Sequence, residues 1–261
     1  MTPPPTTVSV PIGKSLFRGE RRLHIALLGA HGGGKTTLFR TVQATSVQRS
    51  AMAGAQREYD QCIVQIGLDE ARLIDLPGLR TMRDPDNDNR ATLKYLLWGS
   101  TPSPVGAHDG DPAPFPRPDV IVQVIDATAL ERHLELTVEL LTLSRPLVIA
   151  LNRMDEARAQ GIYVSSKALA RRLGVPVIPT SAARGYGVAQ LFRAAVDAVR
   201  KEQVTQPLAL SDHLALALEP LRHALDTPEI RGGFGVPERF LLMQLAQGDR
   251  YFQEEIGRAH V

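Results

Sequence analysis

Cysteine is almost missing from this chain: Cys62 is the only one in 261 residues. An internal disulfide and a cysteine-based zinc site are therefore excluded, and a reducing compartment suits the chain. Its place in the apolar run CIVQI predicts a buried structural thiol. An excess of charge is missing too. There are 30 basic and 28 acidic side chains, a formal net charge of +2. The densest basic cluster, RGERR at 18–22, is short. Such a balance gives no electrostatic footprint for nucleic acid or an anionic membrane, so no nucleic-acid partner is expected. No apolar run is long enough to span a bilayer. The start, MTPPPTTVSVPIGK, lacks an apolar core and an early positive cluster. Residues 1–20 read as a disordered leader rather than a signal peptide. The histidines show no metal-ligand spacing.

What the chain does have is 43% hydrophobic content, ample for a packed core. Apolar runs alternate with amphipathic ones almost from the start. LHIALLG (23–29), QCIVQIG (61–67), ARLIDL (71–76), DVIVQVIDA (119–127), PLVIALN (146–152) and VPVIPTSA (175–182) read as strands. Helices are expected over KTTLFRTVQA, RATLKYLLW, ALERHLELTVELLTL, SSKALARRLG and VAQLFRAAVDAVRKE. In the third of these, Leu130, Leu134, Val138 and Leu141 are expected to form the apolar face. Ser165 or Ser166 caps the fourth. Strand–helix alternation predicts an α/β fold with a doubly wound, mostly parallel sheet. Residues 45–60 read as a mobile loop, and the proline-rich stretch 99–118 as an exposed, flexible insertion. Beyond 205 the strand signal stops. LSDHLALALEPLRHAL and PERFLLMQLAQGDRYFQEE read as two helices of a small α-helical domain, 204–255, that must dock on the first domain or on a continuation. The last six residues, IGRAHV, are the translation of a string found in sequencing adapters. They are expected to be a read artefact, with the natural protein continuing.

The chemistry begins at GAHGGGKTT (29–37), between the first strand and the first helix. Gly29, Gly34, Lys35 and Thr36 fit G-x-x-x-x-G-K-[ST] in the context that motif needs. Glycines let the backbone amides of a loop over Gly32, Gly33, Gly34, Lys35, Thr36 and Thr37 turn toward phosphate oxygens, and the helix N-terminus adds its dipole. Lys35 is expected at the β- and γ-phosphates, and the Thr36 hydroxyl on Mg²⁺. His31 lies inside the loop, where it either faces solvent or touches phosphate. Asp75 ends a strand in DLPG, where a carboxylate holds Mg²⁺ through water while Gly78 lets the backbone meet the γ-phosphate. Asn152, Arg153 and Asp155, in NRMD, follow another strand. A carboxylate there can accept two hydrogen bonds that guanine offers and adenine does not. After the next strand comes TSA at 180–182, where Ser181 shapes the turn and Ala182 lies next to it, placing a backbone amide near the guanine carbonyl. Three weak motifs at three successive strand ends predict binding of GTP and GDP.

On these residues the sequence resembles a translation-factor-class GTPase, and more narrowly the cytosolic N-terminal part of the ferrous iron transport protein B (FeoB) family. The most specific stretch is PDVIVQVIDATALERHLELTVELLTLSRPLVIALNRMDEARAQGI, with LARRLGVPVIPTSAARGYGVAQLF and PERFLLMQLAQGD continuing the likeness. The resemblance implies Lys35 and Thr36 for phosphate and Mg²⁺, Asp75 to Gly78 as the switch motif, and Asn152, Asp155 and Ser181 for guanine. It further implies a cytoplasmic domain of a plasma-membrane protein whose membrane part carries Fe²⁺. The chain departs from that family's pattern at three places. Gly32 stands where the family usually has an asparagine associated with K⁺-stimulated hydrolysis. The switch I threonine would align near Gln56, and the residue after DLPG is Leu79, which cannot orient water. Binding is therefore expected, with slow hydrolysis. Two other readings remain: a soluble GTPase of ribosome assembly or tRNA modification, and a non-hydrolysing guanine-nucleotide sensor. The sequence leaves the oligomeric state open, a homo-oligomer included.

Overall fold

A computed structural model describes residues 22–44, 59–83, 87–101, 113–226 and 235–253. The expected leader, the loop 45–58 with Gln56, most of the proline-rich stretch and the terminal residues 254–261 lie outside the described residues.

Six strands form one sheet in the order β2-β3-β1-β4-β5-β6. They are β1 (Leu23–Leu28), β2 (Asp60–Ile66), β3 (Asp69–Asp75), β4 (Val120–Asp126), β5 (Leu147–Asn152) and β6 (Val177–Pro179). All neighbours run parallel except β2, which pairs antiparallel with β3 across the Gly67–Leu68 turn. The central strands β1, β4 and β5 are buried at every position, as continuous apolar runs in a sheet covered on both faces require. The edge strand β2 instead alternates, and Cys62 sits on its inner side, 1% exposed. Burial pushes the Cys62 thiol up to about 11, so it is a neutral core group.

Successive side chains of each strand feed opposite faces. Leu23, Ile25, Leu27, Val122 and Val124 pack under α1 (Lys35–Ala44) and α6 (Val188–Arg200). Ala26, Leu28, Ile121 and Ile125 pack under α2 (Asn87–Leu97) and α3 (Glu131–Leu141). Shorter helices α4 (Met154–Ala159) and α5 (Ser166–Leu173) follow β5. Of the two candidate caps it is Ser165 that accepts from the Ala168 amide, at 3.2 Å. The chain reverses direction of winding at β1, which lies between β3 and β4. Ligands of open α/β sheets bind beyond the strand C-termini at such a point.

Three expectations change. The buried face of α3 carries His133, Leu136, Thr137, Glu139, Leu140 and Leu141 rather than Leu130, Leu134 and Val138. The rotation follows from Glu139, whose carboxylate accepts from Thr81 Oγ1 and the Met82 amide, each at 2.6 Å. Satisfying that loop turns a charged residue inward at the expense of two leucine positions. The proline-rich stretch is not exposed at its end: Phe115 is 4% exposed, in edge contact with Tyr59 and Tyr95. The last predicted helix is broken. After α7 (Asp212–Ala224), α8 spans Glu238–Ala246 and stops at Gly248, whose φ of +76° is left-handed. Asp249 then accepts from the Tyr251 amide to start a new turn. Phe240, Leu241, Tyr251 and Phe252 join the same apolar cluster as Leu97, Trp98 and Leu143, so this helical segment docks on the sheet unit. Among the described residues no helix is long and apolar enough to cross a membrane.

Candidate functional site

At the C-terminal ends of β1, β3, β5 and β6 the chain places four loops side by side. The first, 29–34, leads straight into α1, whose first-turn amides have no intrahelical partner. Its backbone needs glycine at Gly34: φ is +87°, and a side-chain carbon there would collide with the Asn152 amide. Gly29 anchors the second loop, its carbonyl accepting from the Leu79 amide at 3.0 Å.

Lys35 opens α1, and its ammonium meets Asp75 Oδ1 at 2.5 Å. Both are nearly enclosed, at 11% and 8% exposure. Burial pushes the Asp75 carboxyl up, and the hydrogen bond and charge of Lys35 oppose the rise. Thr36 and Thr37 stand exposed on the first helical turn. A hydroxyl and a carboxylate are hard oxygen donors that suit Mg²⁺, which takes one or two protein groups and completes its shell from phosphate and water. Among the described residues there is no cluster of three His, Cys, Asp or Glu that would form an all-protein metal cage.

Asn152 ties three loops together. At 2% exposure, it donates from Nδ2 to the Gly33 carbonyl at 3.1 Å, and its Oδ1 accepts from the Ala182 amide at 2.9 Å. The Thr180 hydroxyl adds a longer bond of 3.3 Å to the same oxygen. Arg153 follows with a left-handed φ of 60°, turning β5 into α4. Asp155 sits in the first turn of α4, and the Ser181 hydroxyl holds its carboxyl below the usual carboxylate range, with Arg184 alongside at 2.9 Å.

The expected residues are thus brought together in two groups, Lys35 with Asp75 and Asn152, Asp155, Ser181 and Ala182 beside Gly33. Arg153 goes elsewhere: its guanidinium pairs with Asp126 at 3.0 Å, at the mouth of a cavity of about 630 Å³ beside the phosphate loop. His31 is exposed, as one reading held, and its ring rests on Gly78. Sequence reasoning gave no role to the side chains of Thr180, Arg184 and Asp126, which the structure places on Asn152, Asp155 and Arg153. Asp126 was detectable as a charged residue closing an otherwise apolar strand; the others depend on folding.

Two family descriptions match the chain. The family described as ferrous iron transport protein B matches residues 113–195, and the one described as 50S ribosome-binding GTPase matches 24–153. The Fe(2+) transporter FeoB of Escherichia coli (strain K12) is 30% identical over 246 residues, covering 92% of this chain. The chain belongs to the FeoB N-terminal G-domain family. The Salmonella typhimurium Fe(2+) transporter FeoB is 31% identical over 249 residues. The chain spans 29% of the length of both FeoB relatives. Among solved structures, a mutant of S. thermophilus NFeoB bound to GDP superimposes with a TM-score of 0.70 at 29% identity. That match covers 89% of this chain and 82% of the other. The cytosolic domain of L. pneumophila FeoB gives 0.71 at 28% identity, over 91% and 86%. A further S. thermophilus NFeoB mutant, bound to GMPPNP, gives 0.68 at 28%, over 89% and 82%.

Proposed function

We propose that this chain binds GTP and GDP with Mg²⁺, hydrolyses GTP slowly, and regulates a membrane transporter of ferrous iron. The observation that carries the nucleotide reading is the Asn152 clamp. One buried amide fixes the phosphate loop at Gly33 and the turn at Ala182, so a phosphate cradle and a base pocket hold a set spacing. NFeoB relatives described as bound to GDP and to GMPPNP support the same reading.

Lys35 neutralises Asp75. A polyphosphate entering the cradle takes the ammonium for its β- and γ-oxygens and frees the Asp75 carboxylate. Bound Mg²⁺ would be held by Thr36 and, through water, by Asp75, and would neutralise charge on the phosphates. The Asp155 carboxylate faces the base, and Arg184 must yield it when guanine donates its two hydrogen bonds. The Ala182 amide stays committed to Asn152, so it positions the turn instead of meeting the base. Leu79 is 2% exposed, so the residue after DLPG cannot reach an attacking water, and unassisted turnover is slow. Regulation is supported by packing. Leu79 and Met82 of the switch motif share one apolar cluster with Phe240, Tyr251 and Phe252 of the helical segment. The iron reading rests on the names of the relatives, and the proposed iron path lies in the part of them that this chain does not cover.

Calorimetry with GDP and GTP in Mg²⁺ tests the binding: both give saturable heat, and Asp155→Asn moves preference from guanine toward xanthine nucleotides. No heat from either nucleotide refutes the reading, and retained guanine preference in Asp155→Asn refutes the base assignment. The burial of Leu79 also favours a second reading, a sensor that binds without hydrolysis; phosphate release in a single turnover excludes it.

A further inference from the structure

The loop before Lys35 carries an imidazole, His31, that rests on Gly78. Leu79 is sealed into the core, and Gly78 before it has no side chain, so this switch segment offers the attacking water no polar side chain at either position. The space above Gly78 is filled from across the cleft. A carbon attached at Gly78 would lie 2.6 Å from both Nδ1 and Cε1 of His31 and 2.8 Å from its Cγ. His31 is exposed and lines the cavity of about 630 Å³ bounded by Ala30–Gly32 and Arg80. The ring thus rests on the glycine expected to meet the γ-phosphate and is open to water on its other side.

We propose that His31 is a catalytic residue for GTP hydrolysis, orienting the attacking water and taking its proton; this rests on the guanine-nucleotide reading above. The water oxygen bonds to the γ-phosphorus and the bond from that phosphorus to the β–γ bridging oxygen breaks. Its electron pair leaves with GDP, and the proton on the imidazole passes to the released phosphate. The ionisable groups sharing the cavity are Arg80, Arg132, Arg153, His133 and Asp126. Asp126 is already paired with Arg153. The remaining guanidiniums, Arg80 and Arg132, line the same cavity.

Single-turnover hydrolysis from about pH 5.5 to about pH 9, with GDP affinity measured in parallel, tests the role. For the full chain the rate rises with pH through the imidazole range. His31→Ala slows it about a hundredfold, the low end for general-base catalysis, and leaves GDP affinity within about threefold. His31→Gln, which can still hydrogen-bond a water, retains an intermediate rate that no longer varies with pH. A His31→Ala rate equal to or above that of the parent overturns the proposal, as does a parent that binds GTP without hydrolysing it. A parent that binds neither nucleotide overturns the guanine reading itself.

Discussion

Replacing Asn152 by alanine removes a side chain that links the phosphate loop, β5 and the turn after β6. Three bonds go at once, of 2.9, 3.1 and 3.3 Å. Their partners cannot turn to water: Thr180 is 0% and Ala182 2% exposed. A buried hydrogen bond nets about 1 kcal/mol, and an orphaned buried donor costs about 1–3 kcal/mol. The loss is therefore about 3 kcal/mol in the nucleotide-free protein. For a chain of this size that lowers the melting temperature by roughly 6–12 °C. Urea unfolding followed by the fluorescence of Trp98, the sole tryptophan and 7% exposed, measures it directly.

Asn152→Asp separates the hydrogen bonds from mere volume. It keeps the acceptor for Ala182 but sets a carboxylate oxygen against the Gly33 carbonyl, so it destabilises more than alanine at neutral pH and approaches the parent as the carboxyl protonates. A loss below about 1 kcal/mol for Asn152→Ala would show that the clamp is not a structural joint. The nucleotide assignment would then lose its main support.

Three further outcomes follow from the same geometry. His133 is 5% exposed under Gly33, and burial holds its imidazole below the ordinary value, with Arg132 and Arg153 adding to the effect and Asp126 opposing it. Its contribution to stability is present above about pH 6.5 and is lost progressively as pH falls below that value toward the lowered value of the folded state. Unfolding free energy should drop by up to about 1.4 kcal/mol per pH unit there, and His133→Leu should flatten the slope. Glu139→Ala leaves the buried Met82 amide without an acceptor; a loss of about 1–3 kcal/mol and faster hydrogen exchange at Met82 are expected. Cys62, a thiol pushed up to about 11, should resist aromatic disulfide reagents at neutral pH until the chain unfolds. Labelling at a free-thiol rate in the native state would contradict its burial.

The parts of the fold carried by local pattern were legible before folding. LHIALL read as a strand buried on both sides, and the triple glycine before Lys35 as a phosphate-binding loop between strand and helix. Cys62 was read correctly from its apolar neighbours. Legibility failed where a distant group decides. The face of α3 was misread because Glu139 is buried by an amide 57 positions away, which outweighs the leucine spacing. Phe115 was read as exposed because proline excludes helix and central strand but says nothing about burial against Tyr59 and Tyr95. The break at Gly248-Asp249 did have a local signal, a left-handed glycine followed by a capping carboxylate. The site was legible as motifs, while Arg184 on Asp155 and His31 on Gly78 emerged only from tertiary proximity.

On the proposed function, the action of a nucleotide at one end of the sheet on a membrane transporter depends on what the segment after DLPG touches. Glu139 holds the segment 79–83 to α3, and Arg83 adds an ion pair to Glu135 at 2.6 Å. On the other side Leu79 and Met82 enter the cluster that includes Leu93, Leu96 and Trp98 of the α2 region and Phe240 and Phe252 of the helical segment. The Arg90 guanidinium lies 5.2 Å from the centre of the Tyr251 ring, joining α2 to the helical segment. Close-packed interiors do not deform continuously; a displaced side chain moves its neighbours to another packing. If the γ-phosphate draws Gly78 toward itself, Leu79 must shift within that cluster, which includes Phe240 and Phe252 of the helical segment. The Glu139 clamp sets how much of the pull reaches the cluster. Glu139→Ala should therefore weaken any difference between GDP and GTP in the exchange protection of residues 240–252, while leaving GDP affinity intact.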